Sequence, residues 1–221
     1  MENSVRAFLQ AVELGCEASE FDVRLSSDRQ VYVSHNATVY GMDIENSTAV
    51  QIEQNNSGKE DPVPSLQKML GAVRGQHTTR AIIDIKDSDT APEKTLELAD
   101  STVALVQRMK MQGYVTYTSF KPEIIRRIRE RDRTARIIRA SWYKLPTEEI
   151  IPGYISCVAY PLFSFKGSGG LVREMHKRGI RTNAWTINNT YELIYSHKAG
   201  ISCITTDEPE LLLKIIGSSR K

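Results

Sequence analysis

Glu20 and Asp22 alternate with Phe21 and Val23 along the segment Ala18-Ser19-Glu20-Phe21-Asp22-Val23-Arg24-Leu25. In an extended strand successive side chains point to opposite faces, so the two carboxylates share one face. The segment Ala81-Ile82-Ile83-Asp84-Ile85-Lys86 repeats the pattern, with Asp84 and Lys86 at the same spacing. Three carboxylates gathered in one place repel one another unless a cation offsets them, and Mg²⁺ or Ca²⁺ takes several oxygen ligands. Lys86 would then hold an anionic oxygen, as in a phosphate site. The same residues also suit a solvated sheet face and a local Asp84–Lys86 ion pair. His35 follows the apolar run Val31–Ser34, and a side chain that titrates near neutrality suits proton exchange with an ester oxygen. His77, His176 and His197 lie in polar or helical surroundings. Trp185 closes another apolar segment, where it fits either a core or a flat wall for a small polyol, and Asp207 stands where it would cap the last helix.

The elements that must position these groups are legible from punctuation and periodicity. Ser4 is set to cap a first helix, with Val5, Phe8, Leu9 and Val12 as its apolar stripe and Gly15 at its end. The turn Ser26–Arg29 is too short for a parallel crossover, so Val31–Ser34 is the return arm of a hairpin. Residues 36–64 are polar and read as an irregular excursion, with an exposed turn at Asn55–Gly58. Beyond Pro64, helices and strands alternate: helices near 65–73 and 93–112, from Pro122 through Ile128, near 147–151, 171–178 and 191–198, and from Pro209 onward, with strands between them. Alternation specifies a parallel sheet with helical crossovers. Seven parallel strands fall near residues 20, 83, 117, 137, 157, 184 and 203. A TIM (β/α)₈ barrel has eight, with its active site at the strands' C-terminal ends. The expected fold is therefore an α/β, N-terminally truncated barrel of this type, one domain over residues 1–221, with seven parallel strands plus a β-hairpin arm. The missing strand would lie upstream of Met1. An open barrel edge would favour self-association.

Composition limits the partners. Lys plus Arg number 29 against 27 Asp plus Glu, a net +2 that gives no footprint for a nucleic acid. Cys16, Cys157 and Cys203 are odd in number and widely spaced, which suits free thiols. No apolar run reaches the roughly 20 residues of a membrane span, and the first residues lack the basic and apolar regions of a signal peptide. The chain as written is expected to be soluble and cytoplasmic; a signal peptide upstream of Met1 would make it periplasmic or secreted.

Seven short motifs, in order, resemble the glycerophosphodiester phosphodiesterase family of phospholipase C-like barrels: Glu2-Asn3-Ser4, Glu20-Phe21-Asp22-Val23, His35-Asn36, Asp84-Ile85-Lys86, Ser119-Phe120, Trp185-Thr186-Ile187-Asn188, and Ile204-Thr205-Thr206-Asp207-Glu208-Pro209-Glu210. The resemblance implies metal-dependent hydrolysis of a small-molecule glycerophosphodiester to an alcohol and sn-glycerol 3-phosphate, in lipid and glycerol metabolism. By the same resemblance Glu20, Asp22 and Asp84 hold the divalent ion, Lys86 contacts phosphate, Trp185 contacts substrate, and His35 is one of two catalytic histidines. The other belongs to a His-Arg-Gly strand that would precede Glu2. Asp84 stands where the family has Glu, and Asn36 where it has Asp. The alternative implied is a truncated, impaired member that only binds metal or glycerophosphate.

Overall fold

The computed structural model describes residues 2–88, 92–167 and 169–218. They form two compact units, residues 1–135 and 136–221.

In the first unit, helix α1 (Val5–Glu13) begins where the Ser4 side chain accepts the Ala7 N–H, which satisfies one of the four unpaired donors of a helix start. Its buried Phe8 packs edge-on against Phe21 of strand β1 (Ala18–Leu25), with ring centroids 6.1 Å apart. Strand β2 (Val31–Val33) returns antiparallel to β1, with Val23 opposite Val33 and Leu25 opposite Val31. The turn between them closes through Arg29 in the left-handed region (φ 63°) and the Ser26 hydroxyl, which donates to Asp28.

Residues 36–64 are more ordered than their polarity suggests. They hold a two-stranded ladder, β3 (Thr38–Val39) against β4 (Met42–Asp43), and helix α2 (Ala49–Asn56). Thr48 and Gln51 form a reciprocal capping box at the start of α2, a signal that a count of polar residues overlooks. Ile44, Ile52 and Val63 bury themselves with Tyr32 in a small core of their own. Asn56, expected in an exposed turn, is buried, and its carboxamide pairs with both the N–H and the C=O of Val63.

Helix α3 (Leu66–Ala72), capped by Ser65, leads to β5 (Arg80–Ile85), which lies parallel to β1 in the register Ala18↔Arg80 through Val23↔Ile85. Helix α4 (Pro92–Arg108) stops short of Gly113, because the chain turns at Lys110 in the left-handed region (φ 57°). Strand β6 (Val115–Ser119) runs parallel to β5, and α5 (Pro122–Arg131) follows with Pro at its first turn, where the missing N–H costs nothing. The strand order of this unit is β2-β1-β5-β6.

The second unit carries β7 (Arg136–Ala140), β8 (Cys157–Pro161), β9 (Arg181–Trp185) and β10 (Cys203–Ile204), each parallel to its neighbour in that order. Helices α6 (Gly169–Lys177), α7 (Thr190–Lys198) and α8 (Pro209–Ser218) alternate with them. Val158, Tyr160, Leu171, Met175, Ala184 and Leu193 form the core between strands and helices. Gly179 and Gly200 follow α6 and α7 with φ near +71° and +72°, a conformation in which a side chain would be strained. The expected helix at 147–151 is a single 3₁₀ turn, Thr147–Glu149. All three cysteines are free thiols. Among the described residues no helix is long and apolar enough to cross a membrane.

Candidate active site

The register of β1 and β5 builds the site. Asp22 and Asp84 are direct parallel partners, and Glu20 lies two residues before Asp22, on the same face. One carboxylate oxygen from each of Glu20, Asp22 and Asp84 lies within 4.8 Å of the others, Asp22 and Asp84 buried and Glu20 at the solvent rim. Lys86 continues the β5 face and puts its ammonium 2.7 Å from Asp22 Oδ1 and 2.8 Å from Asp84 Oδ2. Both uses read from the sequence therefore coexist: a local ion pair and a converging set of oxygen ligands.

The electrostatics are out of balance, with three acids facing one lysine. Burial raises the Asp84 carboxyl to about 6 against the pull of Lys86, and Asp22 adds to the rise. The protein packed around the Glu20 carboxyl, then the repulsion of Asp22 and Asp84, push it well above the usual range. Water at the open rim screens part of that effect on Glu20. Burial opposes the charge on Lys86, but Asp84 and Asp22 outweigh it and hold the ammonium above its ordinary value. Asp84 Oδ1 is buried without a hydrogen-bond partner among the described residues. A buried acceptor left without a donor, in a cluster with surplus negative charge, is what a hard divalent cation would satisfy. The donor set fits such an ion.

His35 lies one residue beyond Ser34, whose N–H donates to the Asp22 carbonyl, so the hairpin returns the histidine alongside the acidic stretch of β1. Its ring is exposed, and Nδ1 lies 3.0 Å from Asn36 Oδ1. A carboxamide oxygen only accepts, so this contact selects the tautomer with hydrogen on Nδ1 and leaves Nε2 as the acceptor. Asn36 thus orients the imidazole without the charge of an Asp.

Two residues at this site were not anticipated from the sequence. Arg24, buried on β1, donates from Nε to the His35 carbonyl at 3.0 Å and pairs through Nη1 with the buried Glu45 carboxylate at 3.2 Å. The other Glu45 oxygen accepts the Ser88 hydroxyl at 2.6 Å, just past Lys86. The loop of His35 and the loop after β5 are therefore fastened to one buried ion pair. Arg24 continues the Glu20–Asp22 alternation, which was the available signal; nothing in the sequence pointed to Glu45.

In the second unit Trp185 ends β9 and meets Trp142 edge-to-face, with centroids 4.8 Å apart. Asn188 Nδ2 donates to Asp207 Oδ2 at 2.8 Å, and the Asp207 N–H donates to Asn188 Oδ1 at 2.9 Å. The residue expected to cap α8 is thus tied to the loop after β9.

Comparison with known proteins gives this geometry a context. The family model of the glycerophosphoryl diester phosphodiesterases matches residues 1–211. The chain belongs to the glycerophosphoryl diester phosphodiesterase family. Its relatives are phosphoric diester hydrolases: a glycerophosphodiester phosphodiesterase of Caldanaerobacter subterraneus subsp. tengcongensis is 23% identical over 97% of this chain and 92% of its own length. The crystal structure of a glycerophosphodiester phosphodiesterase from Parabacteroides distasonis superposes with a TM-score of 0.91 at 25% identity, over 99% of this chain and 91% of that one. An Oleispira antarctica phosphodiesterase, solved with the product sn-glycerol-3-phosphate, shares the fold with a TM-score of 0.85 at 15% identity, over 97% of this chain and 91% of its own.

Proposed function

We propose that the protein hydrolyses glycerophosphodiesters to an alcohol and sn-glycerol 3-phosphate in a divalent-metal-dependent reaction. The observation that carries this is the convergence of Glu20, Asp22 and Asp84 within 4.8 Å beside Lys86, in a chain of this family. The reading takes residues 1–221 as one catalytic domain of the (β/α)₈ type, supported by a family match that runs through both units.

Glu20, Asp22 and Asp84 would hold a Mg²⁺ or Ca²⁺ ion, which when bound supplies Lewis-acid charge to a phosphoryl oxygen. An ammonium has three donors; two of those on Lys86 face Asp22 and Asp84, and the third can go to a phosphate oxygen. His35 Nε2 accepts the proton of the attacking glycerol hydroxyl as its oxygen bonds phosphorus. The departing alkoxide takes its proton from solvent as the old P–O bond breaks, and water then opens the resulting cyclic phosphate to sn-glycerol 3-phosphate. Trp185 is proposed as an apolar wall for the glycerol carbons.

A second reading, a domain that binds metal or glycerophosphate without turnover, draws on one observation. Among the described residues of the first unit, His35 is the only histidine that a strand pairing returns alongside the acidic stretch of β1, since His77 precedes β5.

Release of glycerol 3-phosphate from glycerophosphocholine and glycerophosphoethanolamine, with Mg²⁺, Ca²⁺ or chelator, separates the two. Hydrolysis should need metal, and His35→Ala should reduce kcat by about 10²–10⁴-fold. Metal binding with no release of glycerol 3-phosphate would leave the second reading.

A further inference from the structure

Asn3 sits immediately before the Ser4 cap of α1 with φ +54°, in the left-handed region that side chains other than Gly rarely adopt and Asn tolerates best. Its carboxamide makes two bonds to one residue: Nδ2 donates to Asp22 Oδ2 at 3.0 Å, and Oδ1 accepts the Asp22 N–H at 2.8 Å. The opposite carboxylate oxygen, Asp22 Oδ1, is the one facing Lys86. Asn3 thus fixes both the backbone and the carboxylate plane of Asp22, and it does so from a strained backbone. Such outliers persist where the surroundings over-determine them, and they gather at functional sites.

We infer that Asn3 is a positioning residue for the acidic cluster: its carboxamide pins one oxygen of Asp22 so that the other is presented, pre-oriented, to a divalent cation. The inference rests on the reading of Glu20, Asp22 and Asp84 as cation ligands. Hydrogen bonds to ligating carboxylates ordinarily matter because they remove the orientational freedom that binding would otherwise have to freeze. Their loss weakens metal affinity by about 10–100-fold. The α1 cap is a separate device, made by the Ser4 side chain.

The test is calorimetric titration of Mg²⁺ and Ca²⁺ into the wild-type chain, Asn3→Gly and Ser4→Ala, with melting temperatures of the metal-free proteins. Glycine keeps the positive φ and removes both side-chain bonds, so the expected result is about a 10–100-fold rise in Kd for Asn3→Gly. Ser4→Ala should lower the melting temperature and leave Kd alone. Asn3→Ser, small and uncharged but without the carboxamide pair, should weaken binding in the same direction and serves if the glycine variant does not fold. Wild-type Kd in a folded Asn3 variant overturns the inference while sparing the metal site. Absence of binding by the wild-type chain overturns the ligand reading itself.

Discussion

The first unit contains two clusters of charge built from similar parts to opposite effect. Around Asp100 of α4, one carboxylate receives Nε and Nη2 of Arg127 at 2.7 and 2.8 Å and Nε and Nη2 of Arg131 at 2.8 Å each. Partial burial works against the charge, but the hydrogen bonds of Arg131 and Arg127 outweigh it and hold the Asp100 carboxyl below the usual range. Arg127 also reaches Glu130 at 3.4 Å, so two cations match two anions, every Asp100 lone pair has a donor, and the cluster straps α4 to α5. Around Asp84 the numbers do not match: three carboxylates share one lysine, a buried oxygen lacks a donor, and the Asp84 carboxyl rises to about 6. Proximity of opposite charges is common to both. Matched charge makes a strut, and a surplus of negative charge makes a ligand site.

Neutralising one carboxylate in each cluster puts that distinction at risk most directly. Asp84→Asn should lower glycerol 3-phosphate release by about 10³-fold or more, because several kcal/mol of metal-borne charge stabilisation depend on the ligand set. Asp100→Asn should leave kcat/KM within twofold of wild type. Equal losses in both would erase the contrast.

Thermal melting with and without metal gives a smaller effect of the same form. At an ion concentration about 100 times Kd, mass action adds about 2.7 kcal/mol, a rise of about 5–10 °C for a chain of this size. Wild type and Asp100→Asn should both show that rise, although Asp100→Asn starts from a lower melting temperature. Asp84→Asn should lose it.

The smallest effect is in the pH dependence of the metal-free protein, where the two acids should leave opposite signatures. The folded chain binds the Asp84 proton more tightly than the unfolded chain does. Keeping Asp84 ionised therefore costs stability, a cost absent below about pH 4 and complete above about pH 6. Asp100 is shifted the other way, so its contribution is present above about pH 4 and lost as pH falls through its depressed value. The melting temperature of Asp84→Asn minus wild type should be positive at pH 7 and shrink toward zero by pH 4. The same difference for Asp100→Asn should be negative at pH 7 and also shrink on acidification. Two profiles of one sign would refute the assignment of surplus charge.

Much of this was legible in the sequence, for identifiable reasons. Period-two alternation placed Glu20 and Asp22 on one face, and Asp84 with Lys86 on another strand, because strand geometry leaves no other arrangement. Ser4, Ser65 and Pro122 mark helix starts through local chemistry that survives without tertiary context. Residues 36–64 misled because their order comes from a few scattered apolar side chains, Ile44, Ile52 and Val63, closing on Tyr32. Periodicity does not register so sparse a core. The partnership of Arg24 with Glu45, and of Asn3 with Asp22, spans 21 and 19 residues of sequence, and only the folded chain brings such pairs together.

The direct pairing of Asp22 with Asp84 also sets the terms on which this protein can change by insertion and deletion. Codons added at Gly58–Glu60, in the exposed turn between α2 and α3, lengthen a loop, and a longer loop costs little. A single codon gained or lost within β1 or β5 slips the ladder by one residue and turns every following side chain to the other face. The carboxylate would then point into the apolar packing and the valine or isoleucine into the site. A two-residue change restores the face but moves the acid about 6.6 Å along the strand, beyond a shared ion. Lineages carrying this site should therefore show length variation in the loops and none inside these two strands.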